Sequence, residues 1–135
     1  MDKILVVDDE ERILRLYSII LMKAGFEVVT AAGAKNGLAL AISSQPSLIL
    51  LDVMMPAVDG TEALATLSAN PATKHIPVIF LTSLIQEKEV DDAQGEIGGH
   101  EFISKSTPID KFVAKIKKAL STSRPSAPMA VTDQS

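Results

Sequence analysis

Five residues that follow short apolar runs carry the chemistry this chain could perform. Asp8 and Asp9 follow Ile4-Leu5-Val6-Val7, and Asp52 follows Leu48-Ile49-Leu50-Leu51. Thr82 follows Val78-Ile79-Phe80-Leu81, and Lys105 follows Glu101-Phe102-Ile103-Ser104. If those runs are parallel strands, their carboxyl ends share one rim, where open α/β sheets bind ligands. Three carboxylates gathered there repel one another: at an effective dielectric near 20, a pair about 4 Å apart costs on the order of 4 kcal/mol. A hard divalent cation relieves that repulsion, and magnesium commonly uses few carboxylates beside waters and phosphate oxygens. Such a cluster, with an ammonium and a hydroxyl as donors, suits phosphoryl transfer, which is mostly positioning and charge neutralisation. Asp52 could itself be the nucleophile and form an acyl phosphate.

Each residue alone has a plainer reading. Asp8 and Asp9 could cap the first helix, with Glu11 completing a capping box. Asp52 could be a loop-entry residue, Thr82 an ordinary strand end and Lys105 a surface lysine. What the plain readings leave unexplained is the conjunction, each residue standing at the carboxyl end of its strand.

The elements that must position these residues are written in alternating periods. The three strongest apolar runs fit strands covered on both faces, as in a parallel sheet. Glu27-Val28-Val29-Thr30-Ala31 and Glu101-Phe102-Ile103-Ser104 are more polar, as edge strands tend to be. Between them, helical spacing appears in Ile13, Leu16, Tyr17, Ile20, Leu21 and Ala24, stopped by Gly25. A second stripe is Leu38, Ala41 and Ile42, ending near Pro46; Leu64 and Leu67 mark a third. Phe112, Val113, Ile116 and Leu120 mark the last, with Pro108 in its first turn and Thr107 as its N-cap. Gln86 to Ile97 is the poorest helix, polar and containing Gly95, and is expected to be of low local stability and mobile. The order reads as five βα units around one parallel sheet.

Composition narrows the function classes. A chain of 135 residues supports one domain, expected over residues 1–120, with a Ser/Pro-containing tail or linker stub over 121–135. A net charge of −4 recommends neither nucleic acid nor anionic lipid as a partner. The absence of cysteine excludes disulfides, thiolate catalysis and Cys-ligated metals. No stretch reaches the roughly 18 apolar residues needed to span a bilayer, so the expectation is a soluble, cytoplasmic protein with no membrane insertion.

Taken together, Ile4-Leu5-Val6-Val7-Asp8-Asp9-Glu10, Leu50-Leu51-Asp52-Val53-Met54-Met55-Pro56 with Asp59-Gly60, Phe80-Leu81-Thr82-Ser83 and Gly98-Gly99-His100-Glu101-Phe102-Ile103-Ser104-Lys105 carry a resemblance. The chain resembles the receiver domain of two-component response regulators, in its single-domain, chemotaxis-regulator-like form. The resemblance implies a flavodoxin-like, doubly wound α/β fold with five helices and a five-stranded parallel sheet in the order 2-1-3-4-5. It implies phosphate acceptance on Asp52 from the phosphohistidine of a histidine kinase or phosphotransfer protein, making the chain a switch rather than an enzyme. Mg2+ would be held by Asp9 and Asp52 directly, Asp8 through water, and the backbone carbonyl of Met54. Lys105 would pair with the phosphoryl group, Thr82 would move to hydrogen-bond it, and Phe102 would be the aromatic that rotates in response. The relay face would be the 86–97 segment, the last strand and the last helix, acting on a protein target, on an output domain outside this chain or in a phosphorylation-dependent dimer.

Two features depart from the family pattern. Ser106 follows Lys105 where the family has a proline joined by a cis bond, so this loop is the expected local difference. Met54 and Leu84, two residues past Asp52 and Thr82, lack a strong hydrogen-bonding group to orient a hydrolytic water, which implies slow self-dephosphorylation. His75 and His100 sit near strand beginnings, away from Asp52, and read as structural rather than as relay histidines. Rival readings are a haloacid-dehalogenase-type phosphatase, which would place an aspartate where Met54 stands, and a flavin module, whose phosphate loop would not begin with Asp8-Asp9-Glu10-Glu11. A receiver-like domain that signals without phosphorylation is the third rival.

Overall fold

The computed structural model describes residues 2–52, 60–82, 96–97 and 100–123. Its strands are β1 (Lys3–Asp8), β2 (Glu27–Ala32), β3 (Leu48–Asp52), β4 (Val78–Thr82), β5 (Glu96–Ile97) and β6 (His100–Ser104). Its helices are α1 (Glu11–Lys23), α2 (Ala34–Ser44), α3 (Gly60–Ala69) and α4 (Ile109–Ser123). The sheet runs β2-β1-β3-β4-β6-β5. Its first five strands are parallel, the 2-1-3-4-5 order expected; β5 pairs antiparallel with β6.

Alternation within the apolar runs builds two cores. Ile4, Val6, Leu48, Leu50, Ile79, Leu81 and Ile103 point to one face, under Leu14, Tyr17 and Leu21 of α1 and Phe112, Ile116 and Leu120 of α4. Leu5, Val7, Ile49, Leu51 and Phe80 point to the other, under Ala41 of α2 and Ala63 and Leu67 of α3. Both faces are covered, which is why the runs read as continuous apolar segments rather than alternating ones. Burying each such side chain is worth about 1.5–3 kcal/mol.

Local signals act where they were read. Gly25, at φ 97°, ends α1 in a Schellman motif: its N–H bonds Met22 O and the Phe26 N–H bonds Leu21 O. Four expectations are corrected. In α1 the buried positions are Leu14, Tyr17 and Leu21, while Leu16 is exposed, because the helix rolls its Leu14 side onto the sheet. In α2 the buried face is Gly37 and Ala41, and Ile42 is exposed: a Cβ on Gly37 would lie 2.9 Å from Val7 Cγ2, so its absence lets the helix seat there. The strand containing Glu101-Phe102-Ile103-Ser104 is not an edge, because β5 pairs with it. Glu96 and Ile97, read as the end of a helix, form that strand. The rest of the expected fourth helix, residues 86–95, lies outside the described residues. Helix α4 runs to Ser123. No helix among the described residues is long and apolar enough to cross a membrane.

Candidate functional site

Strand order reverses between β1 and β3, so the carboxyl ends of these two neighbours flank the switch point of the sheet. Asp8 ends β1 and Asp52 ends β3, each displaced by the pleat from the apolar residue before it. Asp8 is 1% exposed and Asp52 7%, while Asp9 is exposed. One carboxylate oxygen from each of Asp8, Asp9 and Asp52 lies within 4.8 Å of the others. This is a hard, all-oxygen, trianionic donor set suited to a magnesium-type cation.

Lys105, in the turn after β6, supplies the counter-charge. Its Nζ donates to Asp8 Oδ2 at 2.9 Å and lies 3.8 Å from Asp52 Oδ1. The lysine thus bridges the two buried carboxylates. The other Asp8 oxygen, Oδ1, accepts the Glu10 N–H at 2.9 Å. That bond settles the rival reading of Asp8 and Asp9 as helix caps. The N-cap of α1 is Glu10, with no side-chain cap bond, and Asp8 closes an Asx turn before the helix instead.

The charge also reaches the core. Burial raises the Tyr17 hydroxyl pKa, and the nearby Asp8 charge raises it further. The Tyr17 ring packs at 5.0 Å centroid separation on Phe112. Tyr17 therefore links the site to the interface between α1 and α4.

The remaining sequence candidates divide. Thr82 ends β4 in register with Ser104; contacts of its hydroxyl fall outside the described side chains. Phe102 is half-buried, its ring 5.1 Å from that of Phe80. Met54 and Leu84 lie outside the described residues. His75 precedes β4 and is exposed, and His100 begins β6, both at the end of the sheet away from Asp52.

The loop after Lys105 departs from the family's cis bond, as expected from Ser106, but does not use Thr107 as the helix cap. Lys105–Ser106 is trans, and the Thr107 N–H bonds Ser104 O at 3.0 Å. Pro108 occupies the N-cap of α4, its carbonyl accepting the Phe112 N–H at 2.8 Å. Thr107 Oγ1 is buried with no hydrogen-bond partner among the described residues, so Thr107 is not the side-chain cap. Sequence reasoning passed over Ser104, which is 1% exposed and bonds Ser106 through both backbone and side chain. The signal was there in the two serines flanking the lysine.

Residues 4–117 match the family model of the response regulator receiver domain. The chain is 37% identical over 121 residues to the DNA-binding dual master transcriptional regulator RpaA of Synechocystis, covering 89% of this chain and 49% of that protein. It is 34% identical over 116 residues to Protein PilG of Pseudomonas aeruginosa, covering 85% and 84%. Chemotaxis protein CheY4 of Vibrio cholerae superposes with a TM-score of 0.73 at 27% identity, covering 87% of this chain and 98% of that one. The chain spans about half of RpaA and 23% of the response regulator PleD of Caulobacter vibrioides. With an acidic rim bridged by Lys105 on a 2-1-3-4-5 sheet and a family match over residues 4–117, the chain belongs to the response regulator receiver domains, the phosphorylation-dependent switches of two-component signalling.

Proposed function

We propose that Asp52 is the phosphoacceptor. A carboxylate oxygen of Asp52 attacks phosphorus, the P–N bond of a phosphohistidine breaks, and the histidine leaves carrying the electron pair. The product is an acyl phosphate on Asp52. One observation carries this reading: Asp8, Asp9 and Asp52 converge within 4.8 Å and Lys105 bridges two of them. The donor set fits Mg2+, which Asp8, Asp9 and Asp52 would hold together with the Met54 carbonyl. When bound, that ion neutralises charge on the phosphoryl oxygens. Lys105 then exchanges an aspartate for a phosphoryl oxygen, and Thr82 supplies a hydroxyl. Phe102 turns against Phe80, from which it is separated by 5.1 Å between ring centres. Phosphate biases a two-state equilibrium through these new charge-assisted contacts.

The donor is a histidine kinase or phosphotransfer protein. The readout is a protein target or an output domain acting through the 86–97 segment, β6 and α4. Hydrolysis is slow, because Met54 and Leu84 cannot orient water by a strong hydrogen bond.

Incubation with acetyl phosphate and Mg2+ tests the reading. Intact mass should gain one hydroxylamine-labile phosphoryl group, lost in Asp52→Asn and in EDTA. Phosphate uptake that survives Asp52→Asn, or no uptake at all, overturns it.

A further inference from the structure

Lys105 must hold one ammonium against two carboxylates, yet it sits in a turn rather than in a strand or helix. Three bonds fix that turn. The Thr107 N–H reaches Ser104 O at 3.0 Å, closing a four-residue turn with Lys105 and Ser106 at its centre. The Ser106 N–H donates to Ser104 Oγ at 3.1 Å, and the two serine hydroxyls lie 2.7 Å apart. Ser104 Oγ thus accepts the backbone N–H while its own proton is free to go to Ser106 Oγ. Neither central residue has positive φ, so the turn is the ordinary kind that most side chains tolerate. A serine accepting the N–H two residues on is a local mimic of a backbone turn.

Ser104 itself cannot swing away. It is 1% exposed and stands in register with Thr82 of β4. A fixed hydroxyl on the last strand residue therefore sets where the next residue, Lys105, leaves the sheet. The Lys105 side chain is 14% exposed, and its ammonium must meet Asp8 Oδ2 at 2.9 Å.

We propose that Ser104 and Ser106 form a clasp that positions Lys105, with Ser104 as its main member. The clasp takes over the stiffening that a proline after the lysine would supply. Neither serine touches the reacting atoms; both act through Lys105. This inference rests on the reading of Asp52 as phosphoacceptor for its kinetic consequence, but not for its geometry.

The test compares Ser104→Ala, Ser106→Ala and Lys105→Met, singly and as the pair Ser104→Ala with Lys105→Met, in the full chain. Phosphorylation of Asp52 by acetyl phosphate at saturating Mg2+ should slow about three- to tenfold in Ser104→Ala, the worth of one hydrogen bond. Ser106→Ala keeps the backbone N–H donor and should slow it less. In the Lys105→Met background, Ser104→Ala should change the rate no further, because residues acting through one group are not additive. The Lys105 ε-methylene NMR signals should shift in Ser104→Ala. An unchanged rate in Ser104→Ala, or the same slowing with and without Lys105, overturns the clasp. Lys105 signals that Ser104→Ala leaves unmoved overturn it even if Asp52 accepts no phosphate. Signals that move in a protein that takes no phosphate uphold the clasp and defeat the phosphoacceptor reading alone.

Discussion

Replacing Lys105 by methionine removes the cation from between two buried carboxylates while keeping most of the side-chain volume. At an effective dielectric near 20, its attraction is about 6 kcal/mol to Asp8 at 2.9 Å and about 4 kcal/mol to Asp52 at 3.8 Å. Removing the lysine from water offsets much of that sum, and the net cost of breaking such a pair is about 3 kcal/mol, at the lower end of the range for buried pairs. In urea unfolding with EDTA, the Lys105→Met midpoint should fall by about 2 M, taking a slope of about 1.5 kcal/mol/M. The apparent melting temperature should fall by about 10 °C. Saturating Mg2+ should then stabilise the variant by more than the wild type. Its cluster is one charge more negative and binds the cation tighter, and a ligand that binds only the folded state adds stability in proportion to the logarithm of its excess over Kd. A loss under about 0.5 kcal/mol in EDTA, the range of ordinary surface substitutions, would show that Lys105 does not compensate the buried carboxylates. A magnesium increment no larger in the variant would refute the shared site.

Further outcomes follow from the same geometry. Tyr17 is the only tyrosine and there is no tryptophan, so tyrosinate absorbance reports this residue alone. Its midpoint should lie above 10.0 in the folded protein, return to that value in urea, and drop partway in Asp8→Asn. The unfolded chain loses the tyrosine proton first, so stability relative to Tyr17→Phe should decline as pH rises through 10. Phe112→Ala removes a ring that is 2% exposed and should cost about 3–5 kcal/mol in urea unfolding. It should also lower the Tyr17 midpoint, since that ring is part of the tyrosine's cover. Phosphate on Asp52 should outlast that in the pair Met54→Asn with Leu84→Glu, measured by loss of the hydroxylamine-labile group. Equal lifetimes would remove the argument from those side chains.

Much of the site was legible because strand chemistry is local. A run such as Leu48-Ile49-Leu50-Leu51 declares a strand covered on both faces, and the residue after it must emerge at the rim. Asp8, Asp52 and Lys105 were therefore assignable to one end of the sheet before any geometry was known. Helix faces were less legible. Leu16 and Leu14 are equally apolar, and Ile42 and Ala41 nearly so, and only the seating of each helix on the sheet chose between them. For α2 the choice turned on Val7, which meets the space that Gly37 leaves.

The element order, the parallel sheet with its rim of acids, and the serine that stands where the family has a proline were all legible from the residues alone. Those follow from apolar period and residue type, which need no knowledge of distant contacts. Tertiary structure alone decided that Lys105 spans Asp8 and Asp52 and that Asp8 turns inward rather than capping α1. It also decided that Ser104 holds the turn and that β5 covers β6. These are outcomes of distance between residues as far apart in sequence as 8 and 105, and distance is fixed only when strands pair in register.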